Sequence, residues 1–187
     1  MRLTNGRAKI SVAPRYASHK WPSFFKAMNI EIKHFYFIKD EYYAFANDPF
    51  LMENKENGTK RPCFLAIKED NGIVWMIPVT SKVEKFKRIY TEKTKKYGNC
   101  DTIVINQLLG RDCAFLIQSM FPITEKYIKE EYIQVSNNVS VAITNSLANE
   151  IIAKQKKVLA LVKAGIHGLV FIDRYCALFC VNSETLF

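Results

Sequence analysis

The residues best suited to chemistry in this chain are Thr80-Ser81-Lys82, which close the apolar run Gly72-Ile73-Val74-Trp75-Met76-Ile77-Pro78-Val79. Two hydroxyls and an ammonium at a strand end can hold a phosphate. Hydroxyls and strand-end amides bind the non-bridging oxygens, while Lys and Arg offset developing negative charge. Scission of RNA at such a site without a metal has three requirements: a 2′-OH must lose its proton, charge on phosphorus must be stabilised, and the departing 5′-oxygen must gain a proton. A lysine takes part in the proton transfers only if neighbouring cations lower its pKa from about 10. Lys60, Arg61, Lys82 and Lys85 are the residues that could crowd one another in this way. The tripeptide alone is common, and a capped strand end is the plain alternative reading.

Several elements must bring these residues together. Residues 62–68 (PCFLAIK) and Ile73–Val79 read as two strands, joined by Glu69-Asp70-Asn71-Gly72, a hairpin turn with Asn-Gly at its centre. An antiparallel hairpin aligns its outer ends, so Lys60 and Arg61 should lie level with Thr80 and Ser81. Upstream, residues 30–38 (IEIKHFYFI) form a first strand, and Asp40 can cap a short helix carrying Tyr42 and Tyr43. Downstream, residues 102–106 and 111–118 pair around Leu108-Leu109-Gly110. Phe121-Pro122-Ile123 suits an edge strand because Pro122 lacks an N–H, and Glu125–Tyr132 is a charged, helix-compatible step. From Asn145 to Ala164, Leu147, Ile151, Ile152, Val158, Leu159 and Val162 recur at helical spacing, and Gly165 ends the helix.

Charge is unevenly placed. The 187 residues carry 27 Lys and Arg against 18 Asp and Glu, a net +9. Arg2, Arg7, Lys9, Arg15, Lys20 and Lys26 fall in an acid-free leader, residues 1–27, expected to be disordered or to precede a true start at Met28. Residues 28–187 then form one domain with 21 basic residues against 18 acidic ones. Within it, Lys82, Lys85, Lys87, Arg88, Lys93, Lys95 and Lys96 face only Glu84 and Glu92 between positions 82 and 96. A local excess of this kind attracts polyanions; a solvated lysine-rich loop is the simpler reading. Five scattered cysteines and three histidines, with no C-x-x-C, fit free thiols in a reducing, cytoplasmic setting and no metal site. No run is long enough for a membrane helix.

Tyr42 or Tyr43 could contact a phosphate or stack on a base, at most one of them facing a site; core packing for one and a surface position for the other is the favoured plain reading. His34 reads as structural, and Arg111-Asp112 as a turn or salt bridge.

In order along the chain, Phe35-Tyr36-Phe37-Ile38, Asp40-Glu41-Tyr42-Tyr43, residues 61–67 (RPCFLAI) and Trp75–Lys82 resemble the ToxN/AbiQ toxins, most of all the CptN subgroup. Residues 103–106, Cys113–Ile117 and Phe121-Pro122-Ile123 continue the resemblance, which runs from about Ile32 to Gly165. These toxins are the protein halves of type III toxin–antitoxin systems. The resemblance implies an α+β fold, a compact antiparallel barrel-like sheet with peripheral helices similar to the MazF and Kid toxins. It also implies a phage-defence endoribonuclease without metal or cofactor that acts on mRNA and leaves a 2′,3′-cyclic phosphate. Its inhibitor would be a small repeated pseudoknot RNA in a ring-shaped protein–RNA assembly. The family's tyrosine falls on Tyr42, its hydroxyl pair on Thr80 and Ser81, and the lysine just beyond on Lys82 or Lys85. A further lysine falls on Lys60 or Arg61, Pro62 standing where a simple alignment would set it. The expected catalytic set is therefore Thr80, Ser81, Lys82, Lys60 and Tyr42, with Arg61, Lys85, Lys87, Arg88, Lys93, Lys95 and Lys96 binding RNA. Two rivals remain: a non-catalytic RNA-binding regulator using residues 82–96, and a gyrase poison on the same fold.

Overall fold

In a computed structural model that describes residues 30–52, 54 and 60–166, the turn at Asn71-Gly72 is the hinge of the central hairpin. Gly72 takes φ +81°, the left-handed region that glycine enters without a Cβ clash, and its N–H donates to Glu69 O at 3.0 Å. The turn joins β2 (Cys63–Lys68) to β3 (Ile73–Thr80), with Cys63 opposite Pro78 and Phe64 opposite Ile77. A register shift between Leu65 and Ile67 leaves Ala66 as a bulge that bends the ribbon.

Strand β3 organises the sheet because it uses both edges. One edge pairs with β2 throughout. The other pairs first with β6 (Phe121–Thr124), Trp75 facing Pro122, and then at Val79 and Thr80 with β5 (Arg111–Phe115). β5 forms a hairpin with β4 (Val104–Leu108). On the far side, β2 pairs with β1 (Phe35–Ile38), and β1 with β7 (Ile128–Glu131). The result is the expected α+β architecture: a seven-stranded antiparallel sheet, in the order β4-β5-β3-β2-β1-β7 with β6 on β3. The barrel-like sheet is open. β4 and β7 stand at its two ends without pairing to each other.

Among the described residues, three helices flank the sheet. α1 (Asp40–Ala46) begins as expected, but Lys39 rather than Asp40 is its N-cap, and Asp40 sits in the first turn. α2 (Val83–Tyr97) occupies the basic stretch that a loop reading would leave irregular. It folds because Val83, Phe86, Ile89 and Tyr90 recur on one side, and that side packs on a small core with Cys100, Ile103, Ala114 and Leu116. Gly98, φ +82°, ends it. α3 (Asn145–Lys163) buries Leu147, Ala148, Ile151, Gln155, Val158 and Leu159 against the main core. Thr144 caps its start, accepting from Leu147 N–H at 3.3 Å, and Gly165 follows its end.

Two other expectations are corrected. The first strand does not reach back to Ile30: Lys33 turns at φ +72° and its N–H donates to Leu65 O, while the Tyr36 hydroxyl accepts from Glu31 N–H at 2.9 Å and folds the approach aside. The charged step after Thr124 is helical only over Glu125–Tyr127, a single 3₁₀ turn, before becoming β7. Two short strands, β8 (Ile133–Gln134) and β9 (Val139–Ser140), form a separate hairpin after β7. No helix among the described residues is long and apolar enough to cross a membrane. The leader and the C-terminal tail of the expected domain lie outside the described residues.

Candidate functional site

The end of the sheet where β3 stops and α2 starts holds an open cleft of about 600 Å³. Its floor is made by the outer ends of the central hairpin, with Lys60, Arg61 and Pro62 beside Val79, Thr80, Ser81 and Lys82. The expected juxtaposition of these two segments is what the hairpin register delivers, and Val79 N–H donates to Pro62 O at 3.1 Å to close the ladder. Thr80 is buried; its Oγ1 accepts from Lys82 N–H at 3.2 Å, which leaves its own hydroxyl proton free to donate. Ser81 and Lys82 are exposed. Lys82 is the N-cap of α2 and supplies no capping side chain, so the first amides of a 15-residue helix start at the cleft with the positive end of its dipole.

The cations differ in availability. Lys60 is ion-paired with Glu130 and stands over the Phe37 ring, 5.5 Å from its centroid. Arg61 is half-buried, and its Nε–H is buried with no acceptor among the described residues. Its backbone N–H donates to Asn54 Oδ1 at 3.0 Å, which fixes the chain just before β2. Neither Lys82 nor Arg111 has an ion-pair partner among the described residues. Arg111 enters the cleft from β5, next to Asp112, whose carboxylate accepts from Gln107 Nε2 at 3.0 Å. Sequence reasoning gave Arg111 only a turn or salt-bridge role. No local pattern pairs β5 with the last two residues of β3, and only that pairing brings Arg111 to the cleft. The turn Leu109-Gly110 beside it takes φ +51° and +71°, with the leucine in a region usually left to Gly, Asn or Asp. Tyr132, between β7 and β8, and Gln134, the last residue of β8, complete the lining, and no sequence signal marked them.

The structure does not bring Tyr42 to this cleft. Its ring is fully buried, stacked on Phe121 at 5.4 Å and edge-on to Tyr127, and its hydroxyl donates to Pro122 O at 2.9 Å. On α2, Lys85, Arg88, Lys95 and Lys96 share one exposed face leading away from the cleft, and Lys87 is paired with Glu84 on a neighbouring exposed turn. Lys93 is set apart from the RNA-binding group proposed on charge: it turns inward, its Nζ donating to Thr102 Oγ1 at 2.7 Å and Gln118 Oε1 at 3.0 Å. Burial holds its pKa below the usual lysine range, so its task is to moor α2. Cys113 lines the cleft, and Cys63, fully buried, follows the lining residue Pro62 in β2. Burial pushes Cys63 to about 12 and Cys113 to about 11, the latter aided by Asp112, so both are neutral thiols near pH 7 rather than nucleophiles.

No protein-family model and no curated protein matches the sequence. Solved structures do match in fold. AbiQ, a lactococcal anti-phage endoribonuclease of a type III toxin–antitoxin system, superposes with a TM-score of 0.54 at 13% identity, over 70% of this chain and 82% of its own. A protein of a bacterial antiviral system regulated by a processed non-coding RNA superposes at 0.52 with 15% identity, over 72% and 89%. The fold is therefore similar to that of type III toxins.

Proposed function

We propose that this chain is a toxin endoribonuclease of a type III toxin–antitoxin system, with the cleft at the end of the central hairpin as its active site. The observation that carries this reading is the convergence on one cleft of two hydroxyls, a helix N-terminus and three cations, Arg61, Lys82 and Arg111, that lack ion-pair partners among the described residues. A phosphodiester is the ligand that fits such a set, since donors surround an anion and no carboxylate among the described residues pairs these three cations.

The reaction that this set can assist is attack of a ribose 2′-OH on the adjacent phosphorus. The O2′–P bond forms and the P–O5′ bond breaks, giving a 2′,3′-cyclic phosphate and a 5′-hydroxyl. Ser81, the Thr80 hydroxyl and the α2 amides hold the non-bridging oxygens, where charge grows in the transition state. Arg61 is half-buried, and its buried Nε–H offers a fixed donor. Lys82 comes from the start of α2 and Arg111 from the start of β5. Lys60, held by Glu130, positions rather than neutralises. The exposed α2 cations Lys85, Arg88, Lys95 and Lys96 extend a path for the RNA backbone beyond the cleft. The mRNA substrate, a pseudoknot RNA inhibitor and a ring-shaped protein–RNA complex follow from the family resemblance, and the fold likeness to AbiQ supports the reading.

Expression in cells without a cognate RNA inhibitor tests it. Wild-type protein arrests growth, and Ser81→Ala or Lys82→Ala relieves the arrest. Full toxicity in both variants, at equal protein levels, overturns the site assignment.

A further inference from the structure

The cleft has two chemically distinct halves. One is the hydroxyl-and-cation floor. The other is a wall made by Tyr132 and Gln134, where neither charge nor a phosphate donor cluster explains the residue types. Tyr132 is half-buried and rigidly set. Its backbone N–H donates to Phe35 O at 2.7 Å, its carbonyl accepts from Val141 N–H at 2.9 Å, and its ring rests on Phe37, centroids 5.1 Å apart at 60°. Its phenol nevertheless has no partner among the described residues. Gln134 is held through its backbone, the carbonyl accepting from Asn138 N–H at 2.9 Å, while its carboxamide likewise has no partner among the described residues. A ring braced from one side, next to an unengaged amide, is suited to stack on a flat ligand and to read its hydrogen-bonding edge.

The spacing relates this wall to the phosphate floor. Lys60 Nζ lies 5.5 Å from the Phe37 centroid and the Tyr132 ring 5.1 Å from the same centroid, so the ammonium and the ring are separated by no more than these two steps. Lys60 and Tyr132 thus share the Phe37 ring as a support, and both line the same cleft as Arg61, Thr80 and Ser81. Leu109, half-exposed at the tip of the β4–β5 hairpin, adds an apolar residue to the cleft lining.

We infer that Tyr132 and Gln134 form a nucleobase subsite that receives the base next to the scissile phosphate and sets the cleavage sequence. This inference rests on the endoribonuclease reading, and it assigns to that site the part of the RNA that is not phosphate. Tyr132 acts as a stacking platform and Gln134 as the edge reader, through one donor and one acceptor on the same amide.

The test uses the full chain and a short RNA of randomised sequence, with cleavage positions read by sequencing and kcat and KM measured on the preferred site. Gln134→Ala is expected to flatten the base preference at one position flanking the cut by about tenfold, with cleavage retained at other sequences. Tyr132→Leu is expected to lower kcat/KM about tenfold to a hundredfold, chiefly through KM, whereas Tyr132→Phe keeps the ring and most of the activity. An unchanged sequence profile in Gln134→Ala and Tyr132→Leu overturns the subsite while leaving the nuclease reading intact. A uniform loss in kcat at all sequences also overturns it. Binding of the same RNA carrying a single 2′-deoxy nucleotide at the cut separates the two readings. If binding is lost in Tyr132→Leu yet the wild type cleaves no RNA, the nuclease reading fails, and with it the role in setting a cleavage sequence, while base binding at Tyr132 stands. Binding indifferent to Tyr132 and Gln134 overturns the subsite in either case.

Discussion

Replacing Tyr42 by phenylalanine separates a core tyrosine from a catalytic one. The ring is fully buried between Phe121, Tyr43 and Tyr127, so Tyr42→Phe keeps its packing and removes only the hydroxyl that donates to Pro122 O. Losing a buried donor strands that carbonyl, at a cost of about 1–3 kcal/mol. For a chain of this size each kcal/mol shifts the melting temperature by about 2–4 °C, so the variant should melt a few degrees early. Its specific activity on RNA, measured well below that temperature, should stay within about twofold of wild type. Tyr42→Ala, which also empties the ring's volume, should cost about 3–5 kcal/mol and reduce soluble yield. Thermal and urea denaturation read the stability, and single-turnover cleavage reads the chemistry. A Tyr42→Phe protein that melts with the wild type but cleaves a hundredfold more slowly would refute the reasoning. The phenol would then reach the substrate, and the buried geometry would not describe the working state.

Other outcomes follow from the same geometry. Arg111→Ala should weaken RNA binding at moderate salt and reduce the salt dependence of affinity by about one phosphate contact, while Lys93→Met should leave that slope unchanged because Lys93 points inward to Thr102 and Gln118. Equal slopes for wild type and Arg111→Ala would remove Arg111 from the phosphate site. Cys63 carries an alkaline liability. Its folded pKa is raised from 9.0 to about 12, so the stability it contributes is complete below pH 9 and is lost as pH rises toward 12. By pH 10 the wild type should lose about 1.4 kcal/mol relative to its difference from Cys63→Ala at pH 7, as measured by urea unfolding. A pH-independent difference between the two proteins would contradict the buried, protonated thiol.

The local signals and the long-range ones fared differently. The Asn-Gly turn, the apolar runs on either side and the helical period from Leu147 to Val162 are short-range patterns, and they were legible. So was the consequence that Lys60-Arg61 meets Thr80-Ser81, because a two-strand hairpin needs no other information. The basic stretch was harder. Its lysines and glutamates hide a four-residue apolar stripe whose meaning depends on the core patch from β4 and β5 waiting beneath it. Lys93 looked like its neighbours in composition, yet it lies on the inner side of the helix, where two side-chain acceptors receive it. Arg111 reaches the cleft through the β3–β5 pairing, and Tyr132 and Gln134 through the pairing of β7 with β1 that precedes them, contacts between residues far apart in sequence. Tyr42 was misplaced for the opposite reason: a resemblance supplied a role by position, whereas burial between three aromatic rings decided where the side chain went.

Incubation of purified protein with RNA in excess EDTA tests the central claim most directly, with the chemical nature of the new ends analysed. Cleavage should persist in EDTA, give products ending in a 2′,3′-cyclic phosphate and a 5′-hydroxyl, and fall at least about a hundredfold in Ser81→Ala protein that still binds RNA. RNA that is bound but left intact by the wild type would contradict it and favour a regulator that grips RNA through the outer face of α2.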